Sequence, residues 1–261
     1  MFILEIVAII AIVMMIALVG WIFSNILKDA SLADVYWGIY FIFIALGLFF
    51  QSSVHNKIQY IALALTVIWG IRLAGHIALR KVDKPEDYRY QKWRTEWGEK
   101  FWWKNLLQNY LFQAFLALII SSSIIIVFYN QTSNMTVHWW QYLAILLWLF
   151  GFIFEAVSDY QLSQFLKDRI DKESIIDRGL WKYSRHPNYF GEITQWWALW
   201  ILTIGLSYFY IALLSPLLIT FLIMYVSGIP MLEKRYQNNK KYLTYKKKTP
   251  ILIPFIKKRT N

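Results

Sequence analysis

The residues best suited to chemistry lie in one short stretch, Asp177 to Trp197, with the sequence DRGLWKYSRHPNYFGEITQWW. Arginine, lysine and histidine precede a Pro-Asn-Tyr turn, and Gly191 and the acid Glu192 follow at the start of an apolar run that continues to Leu206. Cationic side chains and backbone N–H groups at such a turn are the groups that bind phosphate. The stretch predicts a site for a phosphate-bearing cofactor beside a membrane boundary.

The composition is that of an integral membrane protein. Of the 261 residues 58% are hydrophobic and 16% are charged, against about 25% charged residues in soluble domains. The chain has no cysteine, which excludes disulfides and cysteine-ligated metals. Its net charge of +11 comes from short basic stretches that flank apolar runs, and this pattern favours a lipid surface over nucleic acid as the partner.

Apolar runs predict about seven transmembrane helices. Six is the alternative, because only Gly205 and Ser207 separate the last two runs. The predicted spans lie near residues 2–23, 33–50, 58–79, 106–128, 139–155, 193–206 and 208–226. The first run lacks a basic leader and a small-residue cleavage site, so we interpret it as a retained helix. We therefore expect one all-α transmembrane domain over residues 1–261, with a basic cytoplasmic tail over residues 231–261.

The distribution of basic residues orients these helices. The connection from Arg80 to Lys104 contains eight lysines and arginines, whereas the next, Tyr129 to His138, contains none. The first connection is therefore predicted to be cytoplasmic. With seven spans the basic loop 167–185 and the tail fall on the same side, and the N-terminus lies outside. A bacterial inner membrane is the expected location if the source is bacterial, and the endoplasmic reticulum fits the same charge pattern.

Polar residues within the second and third runs are candidates for catalysis. Arg72, His76 and Arg80 recur every four residues, so on a helix they share one face that is predicted to point toward protein or a wet cavity. The alternative is that Arg72 and Arg80 extend to the interface. Asp34, two residues before Tyr36, is either a helix-terminal acid or part of a site.

Three polar segments are further candidates. After the third run, Pro85, Glu86 and Asp87 resemble a helix start, and we expect an interfacial helix that carries tryptophans at headgroup level: Trp93, Trp97, Trp102 and Trp103. In the fifth run Glu155, Asp159 and Lys167 share a helical face. The basic tail carries Tyr242 and Tyr245, and it is either a lipid-surface segment or a lid that closes over phosphates and a flat ring.

The string GLWKYSRHPNYFGEITQWW resembles the C-terminal signature of the steroid 5-alpha-reductase superfamily, and is more closely similar to its bacterial DUF1295 branch. The resemblance extends through DVYWG, WGIRLAGHIALR with EDYRY, SDYQLSQFL and YLTYKKKTPILIPF, from about Ser31 to Phe255. It implies a seven-helix membrane reductase that holds NADPH in a cytoplasm-facing cavity. A hydrophobic substrate, a steroid or another lipid-like enone, would enter from the bilayer.

The resemblance also assigns roles to residues. The cofactor asparagine of the superfamily falls on Asn188, its acid on Glu192 and its earlier aspartate on Asp159. The predicted cofactor-binding set is Arg80, Asp87, Arg89, Tyr90, Asp159, Lys167, Arg178, Tyr183, Arg185, His186, Asn188, Tyr189, Glu192, Tyr242 and Tyr245. Steroid 5-alpha-reductases carry a Gln-Glu pair and a later tyrosine where this chain has Asp34, Tyr36, Arg72 and His76. These four are the predicted catalytic residues, and no metal is expected.

Two other functions stay open. The Arg-His-Pro-x-Tyr-x-Gly string also resembles isoprenylcysteine carboxyl methyltransferases, membrane enzymes that use S-adenosylmethionine and favour a glutamate in a later helix, which Glu233 matches. A non-enzymatic membrane scaffold is the third class. In the reductase, hydride addition to the β-carbon of an enone leaves an enolate, and a proton comes from His76 assisted by Arg72, or from Tyr36.

Overall fold

The structure, a computed structural model, describes residues 2–82, 84–133, 136–171 and 173–255. Regular structure in these ranges is helical, without strands, so the predicted all-α membrane fold is confirmed. The helices are α1 (Phe2–Ile26), α2 (Ala33–Gln51), α3 (Lys57–Lys81), α4 (Tyr88–Trp97), α5 (Phe101–Asn105), α6 (Phe112–Ile120), α7 (Ser122–Tyr129), α8 (Trp139–Asp168), α9 (Pro187–Ile201), α10 (Leu214–Phe221), α11 (Ile229–Arg235) and α12 (Lys240–Lys248). Residues 256–261 of the predicted tail lie outside the described residues.

Five stretches of the described chain are long and apolar enough to cross a membrane: Ile3–Ile26, Ala30–Gln51, Lys57–Lys81, Trp139–Asp168 and Ile211–Arg235. A bent pair, Tyr88–Ile120 with Ser122–Tyr129, makes a sixth if it counts as one span, with a bend of 50°. The apolar runs therefore locate five to six candidate spans, and the count of seven stays a prediction.

Helix α9 begins earlier than the predicted sixth span, residues 193–206. Pro187 occupies its first turn, where a fixed φ and a missing N–H cost nothing. The helix ends at Ile201, and Gly205 and Tyr208 in the following turns have φ of 90° and 63°. At 15 residues and about 1.5 Å per residue, α9 is shorter than the hydrocarbon core, which is about 30 Å thick.

Polar side chains set the starts of several helices. Asn56 accepts hydrogen bonds from the backbone N–H of Ile58 and Gln59, both 3.0 Å, ahead of α3. Asp87 caps α4 by accepting from the N–H of Arg89 at 3.0 Å, as expected for an acid at that position. Asn239 caps α12 through the N–H of Tyr242 at 2.9 Å.

The chain divides into two compact units. The first comprises Met1–Val137 and Thr203–Leu214, and the second His138–Leu202 and Ser215–Asn261. In the first unit α2 packs against α3, where a Cβ placed on Gly38 would lie 2.8 Å from the carbonyl oxygen of Gly70. The two helices therefore touch through their backbones, as small residues allow in membrane helix pairs.

In the second unit α8 packs against α9, and glycines again make the contact. A Cβ placed on Gly191 would lie 2.5 Å from the carbonyl oxygen of Gly151 and 2.6 Å from the backbone nitrogen of Glu155. No side chain larger than hydrogen fits there without moving one helix. The contact fixes the height of α9 along α8, and so sets which polar residues face each other.

We predict that Gly191→Ala lowers the thermal unfolding midpoint of the detergent-solubilised protein, because the methyl group forces α8 and α9 apart at a cost of about 1–3 kcal/mol. The matched control is Gly75→Ala in α3, where a Cβ meets no atom within 4 Å. This control should be neutral, or stabilising by up to about 1 kcal/mol through helix propensity. Equal behaviour of the two variants would contradict the backbone contact.

Candidate functional site

Two carboxylate–amide pairs join α8 to α9, and Gly191 lies between their two α9 members. Gln195 Nε2 donates to Glu155 Oε2 at 2.7 Å, and Asn188 Nδ2 donates to Asp159 Oδ1 at 3.2 Å. Gly151, Glu155 and Asp159 lie four residues apart on one face of α8, and Asn188 and Gln195, seven residues apart, lie on the facing side of α9. Two of the predicted cofactor residues, Asp159 and Asn188, are therefore in contact. Glu192, also predicted, is buried one turn further along α9.

The turn before α9, residues 184–187, is called the signature turn here. It places a buried cation beside a largely buried acid. The side chain of Arg185 is only 4% exposed, and its Nη1 forms an ion pair with Glu233 Oε1 at the end of α11. Lys246 of α12 binds the other carboxylate oxygen of Glu233 at 2.5 Å. Among the described residues Arg185 Nε has no hydrogen-bond partner although it is buried. A buried guanidinium with a spare donor is suited to bind an additional anion or polar group.

His186 is also close to Glu233. Its Nε2 is 3.7 Å from Glu233 Oε1, and its ring stacks on Tyr189 at 5.7 Å. Burial lowers the pKa of His186, an effect that Glu233 opposes, so the imidazole is neutral at pH 7. Its Nδ1 has no hydrogen-bond partner within the described ranges. A neutral imidazole can donate or accept one hydrogen bond to a ligand without adding charge.

The tail docks on the loop that leads to the signature. The Tyr245 hydroxyl donates to the backbone carbonyls of Trp181 and Ser184. After α12, the carbonyl oxygen of Pro250 accepts from the N–H of Arg185 at 2.9 Å. At the start of α12, Lys241 binds Asp171 at 2.9 Å. Helix α12 is therefore held at both ends against the rest of the second unit, so it covers a protein surface.

Between this loop and the tail lie two adjoining cavities, which share Ser174, Ile175 and Tyr245. The first, of about 100 Å³, is mainly apolar and aromatic, with one guanidinium and one imidazole in its wall. It is lined by Leu162, Phe165, Leu166, Ile176, Trp181, Leu232, Tyr236 and Tyr242, with Arg185 and His186. A cavity of about 150 Å³ holds benzene, so this one is smaller than the cavity that binds a single planar ring.

The second cavity is an open, basic cleft of about 630 Å³. Three lysines line it, Lys182, Lys241 and Lys248, with Asp177 as the acid in its wall. Burial, together with the nearby Glu233, raises the pKa of Tyr242 to about 12. The phenol beside the first cavity therefore keeps its proton at neutral pH, and can act as a hydrogen-bond donor.

In the first unit the structure joins Asp34 to the residues predicted after the third span. Arg89 Nη2 lies 2.6 Å from Asp34 Oδ2, and the Tyr90 hydroxyl donates to Asp34 Oδ1 at 2.7 Å. Asp87 binds Arg89 Nε at 3.0 Å. Burial opposes ionisation of Asp87, but the N–H and guanidinium of Arg89 lower its pKa overall. Asp34 thus makes side-chain contacts with α4, and Leu32 occupies the N-cap of its own helix.

The other predicted catalytic residues also lie in the first unit. Arg72 and His76 are half-buried on α3, and Arg80 at the end of the same face is exposed. The ring of Tyr36 lies 5.9 Å from that of Tyr110 and 6.4 Å from that of Tyr40. The catalytic roles of Arg72, His76, Tyr36 and Asp34 stay predictions.

Three predicted cofactor residues lie outside the group formed by Arg185, His186 and Glu233. Lys167 and Arg178 are exposed, and Arg178 lines a third cleft, which shares Ser174 and Ile175 with the two cavities. Tyr183 is 40% exposed and packs on Phe255 at 4.7 Å. Their roles toward a cofactor are not tested by these contacts.

The sequence prediction missed several residues of the site. Gln195 and Gly151 were not selected, Lys182 and the tail lysines were considered only as parts of the basic stretches, and Glu233 only for the methyltransferase alternative. Helical spacing from Glu155 and from Asn188 could have identified Gly151 and Gln195. Nothing in the spacing indicates that Glu233, 48 positions after Arg185, is its partner. In the described part of the chain no group of three or more His, Cys, Asp or Glu side chains is arranged to hold a metal.

We predict that Gln195→Leu lowers the free energy of unfolding by about 1.5–3 kcal/mol, because it removes the amide donor of a buried carboxyl group. The exchanged pair, Glu155→Gln with Gln195→Glu, should recover most of that loss. Gln237→Leu on the exposed tail is the control, with a change within about 0.5 kcal/mol. Reversible unfolding in mixed micelles measures all three, and an exchanged pair no better than the single variant would contradict the pairing.

Comparison with known proteins gives one match. A family model described as "Protein of unknown function (DUF1295)" matches residues 20–249. No curated protein and no solved structure matches the chain. The matched range includes the α8–α9 contact, the signature turn and α12. The chain therefore belongs to the DUF1295 family.

Proposed function

We propose that the protein is an NADPH-dependent membrane reductase related to the steroid 5-alpha-reductase superfamily. It reduces an activated C=C bond of a lipid-like substrate, in the manner of a 3-oxo-5-alpha-steroid 4-dehydrogenase. The observation that carries the proposal is the pair of adjoining cavities in the second unit. One is small and aromatic, and the other is lined by lysines. A nucleotide has the same two parts, a flat ring and phosphates.

The charge of the cleft favours NADPH over S-adenosylmethionine. NADPH carries three phosphate groups, whereas S-adenosylmethionine carries a net positive charge. Lys182 and Lys248 are exposed at the cleft, so they are available to pair with phosphate oxygens. The same lysines repel a cationic ligand. In the proposed complex the lysines hold the phosphates, and Tyr236 and Tyr242 pack on a ring.

Bound NADPH supplies a hydride for the β-carbon of a conjugated enone. The protein must then donate a proton, or stabilise the oxygen on which negative charge develops. We assign this step to His76, positioned by Arg72, with Tyr36 and Asp34 as further candidates. Asp159, Asn188 and Glu192 are assigned to the polar groups of the cofactor.

A methyltransferase of the isoprenylcysteine carboxyl type is the second candidate, and one observation favours it. The Arg185 guanidinium is already paired with Glu233, the glutamate that this second family would supply. This pair leaves less positive charge for phosphate at the signature turn itself. The two candidates predict opposite ligands, so binding measurements separate them.

The first test of the proposal is ligand binding to the purified protein. NADPH should raise the thermal unfolding midpoint in a concentration-dependent manner, while S-adenosylmethionine at the same concentration should not. Lys182→Gln combined with Lys248→Gln should weaken NADPH binding about tenfold, since each exposed cation contributes up to about 1 kcal/mol. Lys57→Gln, an exposed lysine at the start of α3, should have no effect. Stabilisation by S-adenosylmethionine alone would contradict the proposal that the protein is a reductase.

The second test concerns the proton donor. With a conjugated 3-oxo-4-ene steroid or another enone that the wild type reduces, His76→Ala and Arg72→Ala should each lower kcat by about 100-fold or more. NADPH binding should be unchanged, because the loss falls on proton transfer. The exposed Lys57→Gln at the start of the same helix is the control, with kcat within a few-fold of wild type. Full turnover by the first two variants would show that the proton comes from elsewhere.

A further inference from the structure

A cluster of aromatic and basic side chains on the first unit is not used by the proposed reaction. We call it the Trp–Lys surface, and it consists of Trp93, Trp97, Lys100, Trp102, Trp103 and Lys104. The rings of Trp93 and Trp97 stack in parallel at 5.6 Å. Lys104 Nζ lies 5.5 Å from the ring of Trp97 and 5.9 Å from that of Trp103. Trp102 and Trp103 are 56% and 38% exposed.

The surface is rigidly supported from behind. Helix α4 is held through Arg89 and Tyr90, which both bind Asp34 of α2. Arg94 binds Glu86 at 2.8 Å, and Trp21 Nε1 of α1 donates to the carbonyl of Trp102 at 2.8 Å. These contacts fix the backbone, so the exposed indoles and lysines form a preorganised surface.

The position of the surface in the chain is that of a membrane interface. It lies between the end of α3, a candidate span with Arg80 and Lys81 in its last turn, and the apolar helices α6 and α7. Tryptophan is enriched at the headgroup level of membranes because its ring is apolar and its N–H is polar. Lysines at this level extend their amines to the headgroups.

The charges around the surface make it selective for anions. Arg94 is paired with Glu86, and Lys92 with Glu96 at 3.6 Å, so the charges of these four residues largely cancel. The segment Glu-Lys-Phe-Trp-Trp-Lys, residues 99–104, carries two lysines and one acid, a net charge of +1. Lys100 directly precedes α5 and is exposed, and Lys104 within α5 is half-buried. Together they present two ammonium groups beside exposed indoles.

We propose that the Trp–Lys surface binds the phosphate of an anionic phospholipid. Lys100 and Lys104 pair with the phosphate oxygens, while Trp97, Trp102 and Trp103 lie among the glycerol and upper acyl carbons. A zwitterionic lipid offers the same apolar contacts, but its own cation competes for the phosphate. Each lysine near a membrane surface favours anionic lipid by about 1 kcal/mol, which is about fivefold per lysine and about 25-fold for the two.

The test uses the full chain in nanodiscs of phosphatidylcholine with a minor fraction of phosphatidylglycerol, one of the two lipids carrying brominated acyl chains. Bromine quenches nearby tryptophan fluorescence, so the ratio of quenching by the two brominated lipids reports which lipid contacts the protein. The wild type should show stronger quenching by the anionic lipid than its mole fraction predicts, and this excess should fall as ionic strength rises. Millimolar inorganic phosphate should not remove it.

Three variants separate lipid binding from folding. Lys100→Gln with Lys104→Gln should lose most of the excess quenching, whereas Lys100→Arg with Lys104→Arg should retain it, because arginine preserves the charge. Lys57→Gln, outside the surface, should behave as wild type. Quenching in proportion to mole fraction in the wild type, or an excess unchanged in the glutamine double variant, would overturn the proposal. So would loss of the excess with inorganic phosphate, which would identify a soluble anion as the ligand.

Discussion

The backbone contact between Gly151 and Gly191 is the constraint on which the second unit depends. In a membrane, helix pairs gain little from the hydrophobic effect and associate through close packing and hydrogen bonds. Here the two glycines let α8 and α9 approach until a Cβ has no room. At that separation Glu155 meets Gln195 and Asp159 meets Asn188. The polar pairs are therefore a consequence of the helix contact, and they also make its register unique, because a shift by one residue separates both pairs.

The signature turn is built on a second constraint, the neutralisation of buried charge. A guanidinium that is 4% exposed is tolerated only with an acid partner. Glu233 supplies that partner and is itself bound by Lys246 from the tail. The cluster therefore connects the signature, α11 and α12. An anion that enters beside Arg185 joins a network of two cations and one acid, so its binding is coupled to how firmly the tail is docked.

The sequence predicts those parts of the structure that depend on local pattern. Apolar runs locate five to six candidate spans, and Pro85 to Asp87 predict the start of α4, which begins one residue later at Tyr88. The family resemblance selected Asp159 and Asn188 as cofactor residues, and the structure joins the two by a hydrogen bond. Partners that are remote in the chain were not predictable, because periodicity identifies a helix face and does not identify what it faces. Asp34 and Arg89 are 55 positions apart. The sequence pattern that predicted the interfacial helix does not indicate that this helix binds Asp34.

Amide hydrogen exchange with and without NADPH is the most direct test of the central claim, that the second unit binds a nucleotide between its basic loop and its tail. The account predicts slower exchange over residues 174–186 and over α12 when NADPH is present. It predicts no such change with S-adenosylmethionine. Unchanged exchange in both segments at saturating NADPH, or protection confined to other helices, would contradict the account.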